Sequence, residues 1–427
     1  MPTSEHTVDP GREPDHGHSH GHAHSHGGPL TEDPRTTRPL NIIVIVCTIG
    51  VVLGLVAWWP SGKVADLTPA DARFTDVDGT VTAVHRDECP GFQVEALTAC
   101  QVASVALTSG THSGETVTVT VLVTDEIVPT LARDDDVVLA YNPTAIEGFE
   151  YTFVDFQRSG ALIALAVLFV IVIVAVGRRQ GIRALLALGL SLAALMGYMV
   201  PSLLRGHPAL GVAAVGTTLV AMAAMYLTNG INAQTTVAFV GTLGSLLVTA
   251  VLAVAFVRLA AITGLADDAD QFLKVTASRV DLRGLVIAGT VIGALGVLDD
   301  VTVTQVSAVA ELRRANPTLG RRELYVRARR IGRDHIASTV NTLVLAYAGA
   351  SLPLLLTFYQ STRSAWRVVT SEVVATEIVR TLTGSIGLAL AVPVTTGLAA
   401  ALAGRRQDGG PHDHDPPAAW DDFAPTA

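Results

Sequence analysis

The chain has 427 residues, of which 49% are hydrophobic and 16% charged, and its mean hydropathy is +0.44. That balance excludes an ordinary soluble globule. The net charge of −9 is segregated, with acid in the tails and between the first two apolar runs and arginine in short loops. The basic clusters adjoin apolar runs and lack interleaved aromatics, which excludes a nucleic-acid binder.

Residues 1–39 are rich in Pro, Gly, Ser, His and charge and read as a disordered tail. Within it His16, His18, His20, His22, His24 and His26 alternate with other residues, mostly small. Imidazoles at this density can share a borderline divalent metal such as zinc. The competing reading is a solvated low-complexity tail with incidental metal affinity. A short echo, His412-Asp413-His414-Asp415, sits in a second disordered tail over 404–427.

Leu40 to Trp59 is an almost uncharged run, and about 20 such residues cross a bilayer as a helix. Arg35 and Arg38 precede it and Trp58-Trp59 close it as an interfacial belt. It lies far from Met1 and lacks a small-residue cleavage site, so it reads as an anchor with the N-terminal tail in the cytoplasm.

From residue 61 to 156 the period changes. Phe74–His85, Gln101–Thr108 and Glu115–Val123 alternate apolar and polar residues, and Asp78-Gly79, Ser109-Gly110 and Ser113-Gly114 punctuate them. These patterns predict a small β-domain, OB-like or another short-stranded barrel. It would act as a structural cap or dock a protein partner. Cys89 and Cys100 are close enough in sequence to close one loop. An oxidising compartment would bond them, a reducing one would leave free thiols, and Cys47 reads as a packing residue.

Seven further spans follow, at 160–176, 184–204, 209–227, 235–262, 284–309, 336–358 and within 368–402. A basic loop at 178–183 and a longer Arg-rich loop from Arg313 to Arg333 belong inside by charge. With both termini cytoplasmic, about eight spans satisfy all these constraints and put the β-domain outside. The predicted fold class is therefore a membrane all-α bundle with a small extracytoplasmic β-domain after the first helix. The predicted location is the bacterial plasma membrane.

The sixth span carries Asp299 and Asp300 in an otherwise apolar segment, and an ionised side chain there costs at least about 3 kcal/mol. Asp300 lies about 22 Å along the helix from Leu285. Asp300, Thr304, Ser307 and Glu311 form one polar stripe, expected to face the bundle interior or a wet cavity, with Asp299, Thr302 and Gln305 beside it. Adjacent carboxylates suit proton relay or cation binding, whereas the bland alternative is a hydrogen-bond clamp between helices.

On the seventh span Asp334, Ser338 and Asn341 share a face, with His335 at the interface. On the eighth, Glu377 and Arg380 are spaced to pair. Arg380 reaching Asp299 or Asp300, and Glu372 to Arg380 lying on a surface helix, are the alternatives. Asn229, Asn232, Gln234, Thr235 and Thr236 mark a polar turn or inner vestibule. Glycines three apart at 241/244, 293/296 and 384/387 predict close helix packing or a remnant of internal repeats.

From about residue 152 to 403 the chain resembles the YibE/F-like family of bacterial membrane proteins. The resemblance rests on Leu298-Asp299-Asp300-Val301 with Ser307 and Glu311, on Ile331-Gly332-Arg333-Asp334, and on Ser338 with Asn341-Thr342-Leu343-Val344-Leu345-Ala346-Tyr347. It continues through Ser351-Leu352-Pro353, Glu377-Ile378-Val379-Arg380 and Gly384-Ser385-Ile386-Gly387. Asp299 matches the family motif and Asp300 stands outside it. The resemblance implies a multipass membrane protein and supplies no substrate.

The functional expectation is a proton- or cation-coupled transporter or permease for a small solute or ion. Its site would comprise Asp299, Asp300, Thr304, Asp334, Asn341, Glu377 and Arg380. The alternative is an assembly or accessory protein. No His-Glu-x-x-His run or Gly-x-Ser-x-Gly elbow occurs, so an enzyme is not expected.

Overall fold

The computed structural model describes residues 34–61, 74–87, 99–123, 130–146, 148–266 and 268–403. The His-rich stretch, Cys89 and the predicted second tail lie outside them.

The alternating segments form one antiparallel sheet of five strands: β1 Thr75–Asp87, β2 Ala99–Leu107, β3 Thr116–Val123, β4 Asp136–Tyr141 and β5 Tyr151–Phe156. Its order is β3-β2-β1-β4-β5. β1 gives its first half to β4 and its second half to β2, with a bulge between Val81 and Ala83. A bulge bends and twists its strand, and the edge strands β3 and β5 come into contact. The sheet is therefore a half-barrel around Val81, Val105, Val119, Val137 and Leu139. At the corner Gly79 pairs with both Leu107 and Val137. A Cβ there would press on Val105 and the carbonyl of Ala106.

The helices are α1 Pro34–Ala57, α2 Ser159–Ala194, α3 Val200–Leu204, α4 Ala209–Asn229, α5 Ala233–Leu259 and α6 Asp268–Thr276. They continue with α7 Leu282–Ala315, α8 Arg321–Ala350, α9 Leu352–Gln360, α10 Ala365–Val369 and α11 Glu372–Leu402. Among the described residues six helical stretches are long and apolar enough to cross a membrane, or seven if the bent pair α8–α9 is one span.

One of the six is the 46-residue stretch Ser159–Leu204, in which a π turn over Leu195–Met199 joins α2 to α3. Arg178 interrupts it with φ 49 and ψ −128, and a Cβ at Gly181 would collide with the carbonyl of Ile173. In an unbroken helix residues 173 and 181 would stand about 12 Å apart. The chain therefore turns sharply in the predicted basic loop.

The long Arg-rich loop needs correction. Its arginines from Arg321 onward form the first turns of α8, and only residues 316–320 link it to α7. Glu323 pairs with Arg327 at 2.5 Å, one turn along; such pairs support an exposed helix. Pro353, in the first turn of α9, stands where α8 and α9 meet at 62°, as expected of a residue without an N–H.

α5, α7 and α11 form the centre of the bundle, with α4 and α8 against them. Phe239, Leu298 and Leu388 are fully buried there. Gly241 of α5 faces Thr395 of α11, and Gly387 of α11 faces Thr249 and the carbonyl of Ser245. Two of the predicted glycine pairs thus place one member each at this crossing, whereas Gly244 and Gly296 meet nothing within 4 Å. Overpacking costs about 1–3 kcal/mol. Gly387→Val is expected to lower stability by about that amount in detergent unfolding, while Gly244→Val changes it by under about half as much.

Candidate functional site in the helix bundle

α1 ends and α2 begins at the end of the bundle joined to the β-domain, here called proximal; the α4–α5 turn and the α7–α8 link lie at the distal end. The face of α7 that meets its neighbours is Leu298, Val301, Thr302, Gln305, Val306 and Val309, all buried. That rotation carries the predicted stripe outward. Asp300, Ser307 and Glu311 are exposed and Thr304 is half-buried, so the stripe does not face the bundle interior. The side chain of Asp300 is 74% exposed, and its Oδ2 lies 4.0 Å from Nε2 of His335.

Asp299 takes the other side. It is half-buried, and its Oδ1 is enclosed without a hydrogen-bond partner. The adjacent acids thus point to different surroundings and do not form one two-carboxylate site.

Arg380 does not reach them. It pairs with Glu377 at 2.6 Å, and both side chains are more than two-thirds buried, at 27% and 29% exposure. Its Nη2 lies 4.0 Å from the place a Cβ of Gly289 would take. Gly289 to Asp299 is about 15 Å along α7. Glu372 begins the same continuous helix rather than a separate surface helix. Its Oε1 accepts from the N–H groups of Thr263 and Gly264 at 2.6 and 2.7 Å, tying α11 to the turn after α5.

Along these levels and on toward the distal end lies a set of interior polar residues that the predicted stripe did not include. Thr242 and Thr302 share a hydrogen bond of 2.7 Å. The hydroxyl of Thr396 donates to Oε1 of Gln305 at 3.0 Å. Nε2 of Gln305, Oγ1 of Thr395, Oγ of Ser385 and Oγ1 of Thr376 are buried without a partner among the described residues. They differ from Thr249, Thr290 and Thr383, whose hydroxyls donate to carbonyls one turn back. The legible signal for the missed residues was their spacing. Thr376 and, seven residues on, Thr383, Gly387, Ala391 and Thr395 at intervals of four fall on the one buried face of α11.

At the distal end Asn229, Asn232, Gln234, Thr235 and Ser307 line a recess of about 130 Å³. Asn232 also caps α5, accepting from the N–H of Thr235 at 2.8 Å. Asp334, Ser338 and Asn341 share the exposed face of α8. The predicted residues thus divide into a shielded Glu377–Arg380 pair, an acid level at Asp299 and Asp300, and an exposed face of α8. Among the described residues no three His, Cys, Asp or Glu side chains stand close enough to share a metal. Cys100 is disulfide-bonded, and Cys47 is a free thiol.

The family model described as YibE/F-like protein matches residues 165–405, more than half of the chain. The chain belongs to the YibE/F-like family. Neither the curated proteins nor the solved structures hold a match to it. The YibE/F-like region takes in nearly all of α2 and every later helix, and leaves out α1 and the half-barrel. Asp299, Gln305, Glu377 and Arg380 all fall within it.

Removing one partner of a shielded ion pair strands the other, which costs about 1–3 kcal/mol. Arg380→Gln is expected to destabilise the YibE/F-like domain by that amount, and adding Glu377→Gln should restore most of it. A double variant no more stable than the single one would show that the pair does not act as a unit.

Proposed function

We propose that this YibE/F-like protein is a proton- or cation-coupled transporter or permease for a small solute or ion, with Asp299 as its titrating or cation-binding carboxylate. The observation that carries the reading is the row of interior polar atoms lacking protein partners. Among the described residues it runs from the proximal end through Thr376, Nε of Arg380, Ser385, Asp299, Gln305 and Thr395, toward the recess at Asn232 and Ser307. An unsatisfied polar group in hydrocarbon costs several kcal/mol. Groups of this kind are retained where water or an ion completes their bonding. Gln305 and Thr302 then line the route beyond Asp299, and Glu377 with Arg380 sets the charge at its proximal side.

The reading includes eight spans. Dividing the 46-residue stretch at Arg178 and counting α8–α9 as one span brings the total to eight. The arginines at 178–183 and at the start of α8 then share the cytoplasmic side with both termini, and the half-barrel lies outside a bacterial plasma membrane. The histidines from His16 to His26 would deliver or sense a zinc-like ion at that side. Calorimetric titration of the full chain with zinc, against a chain lacking residues 14–28, is expected to lose its tighter binding step with the deletion.

A second reading, an assembly or accessory protein, is favoured by the exposed Asp300, Asp334, Ser338 and Asn341. Polar side chains at membrane depth need a protein partner or water. Under that reading the half-barrel docks a partner, and deleting residues 61–156 changes the set of co-purifying proteins.

The transporter reading is tested in proteoliposomes carrying an interior pH-sensitive or cation-sensitive dye. Asp299→Asn is expected to cut gradient-driven flux by about tenfold, equivalent to about 1.4 kcal/mol, while Asp300→Asn keeps most of it. Equal flux in Asp299→Asn and the parent chain would overturn the assignment.

A further inference from the structure

The charged first turns of α8 expose arginines that no acid of the protein neutralises. Arg327 is taken by Glu323, and Arg314 by Glu311 on α7. Arg329, Arg330 and Arg333 are exposed and make no ion pair or hydrogen bond among the described residues. Asp334, next in sequence, stands about 100° around the helix from Arg333. Arg329 and Arg333 are one turn apart, and their face continues through Ala337, Val340 and Val344, at i+4, i+7 and i+11 from Arg333. Ala337 and Val344 are exposed and Val340 is half-buried. One open strip of α8 thus changes from guanidinium to hydrocarbon along its length.

The strip ends at a gap. α8 and α9 diverge by 62° where Ser351 closes one helix and Pro353 sits in the first turn of the next. This leaves a cavity of about 290 Å³ against α11, which Val344, Leu354, Leu355, Ile378 and Leu382 help to line. Glu377 borders it too, but Nη1 of Arg380 donates to its carboxylate at 2.6 Å, so the wall carries no net charge. Leu355 and Leu382 are exposed, and the cavity opens sideways from the bundle.

The spacing between the two ends matches one leaflet. Val344 stands about 17 Å along α8 from Arg333, and half of a hydrocarbon core is about 15 Å. With the guanidiniums at headgroup level, the cavity lies at the depth that acyl chains of the same leaflet reach. Arginine grips phosphate through paired N–H groups. Basic pockets beside membrane helices take anionic headgroups.

We infer that α8 holds an anionic phospholipid, with its phosphate on Arg329, Arg330 and Arg333 and one acyl chain running past Ala337 and Val344 into the cavity at the α8–α9 bend. The continuity of the arginines with the apolar strip selects a lipid over a free phosphate. The site faces the bilayer, outside the interior route at Asp299 and Gln305, and does not rest on the transporter reading.

The full chain in dodecyl maltoside, equilibrated with dioleoyl phosphatidylglycerol or dioleoyl phosphatidylcholine, provides the test, with bound lipid counted by native mass spectrometry. Phosphatidylglycerol is expected to bind about tenfold more tightly. Combining Arg329→Gln, Arg330→Gln and Arg333→Gln should reduce it to the level of phosphatidylcholine. Arg321→Gln with Arg322→Gln, about 20 Å before the apolar part of α8, should leave it unchanged. Ala348→Trp, which fills the cavity, should weaken dioleoyl phosphatidylglycerol about tenfold. The dihexanoyl form, too short to reach the cavity, should bind that variant and the parent alike. Unfolding curves check that each variant is folded. Asp299→Asn, which disables flux under the transporter reading, should keep the lipid as the parent chain does. Equal binding of the two dioleoyl lipids, displacement by excess inorganic phosphate, or an equal loss in the Arg321 and Arg322 variant would overturn the inference.

Discussion

A polar group inside hydrocarbon has to find a partner, and that constraint governs the centre of this bundle. Several hydroxyls in α5, α7 and α11 meet it locally, by donating one turn back, as Thr249, Thr290 and Thr383 do. Thr242 and Thr302 meet it across helices. At the neighbouring α5–α11 crossing, Gly241 and Gly387 let the backbones approach by lacking the side chain that would hold the two helices apart. What remains unmet, at Asp299, Gln305 and Thr395, stands out against that background.

The proximal end is built on a different principle. Glu372 gathers the backbone of Thr263 and Gly264 at the end of α5, and the guanidinium of Arg283 donates to the carbonyl of Ile262 at 2.9 Å. Ser202 donates to the carbonyl of Trp58 at 2.8 Å, joining α3 to the end of α1. These bonds satisfy helix termini that would otherwise leave carbonyls and N–H groups open. Beyond them, the half-barrel carries an aromatic group of its own, in which Nδ1 of His112 meets the hydroxyl of Tyr151 at 2.6 Å and the rings of Tyr141 and Tyr151 stand 4.9 Å apart. Burial, followed by the neighbouring Tyr141 and then the charges of Glu115 and Glu150, raises the hydroxyl of Tyr151 above its ordinary value.

Much of this architecture was legible in the residues, because hydrophobic period and length are local signals. The alternation of Val and Thr in Gln101–Thr108 and Glu115–Val123 became β2 and β3, and most apolar runs became helices near their expected limits. Two features needed tertiary information. A polar stripe shows that α7 has a polar side but not which side its neighbours cover. Thr302 and Gln305, roughly 140–160° around the helix from Asp300, were buried instead because α5 and α11 pack on Leu298, Val301 and Val306. Likewise Arg321 to Arg333 looked like a loop by charge, yet arginine is a good helix former and the charged turns extend α8 beyond its apolar part. The pairing of Arg380 was legible from the spacing to Glu377; its distance from Asp299 was not.

The account stands on water or an ion reaching the interior of α7. Hydrogen–deuterium exchange of the full chain in lipid nanodiscs reads this directly, because buried helix amides exchange only where water arrives. Residues 298–306 of α7, beside Asp299 and Gln305, are predicted to exchange faster than residues 250–258 of α5, which pack in an apolar cluster around Ala253 and Val257. Equal protection of the two stretches would contradict a hydrated interior and leave these polar groups as clamps between helices.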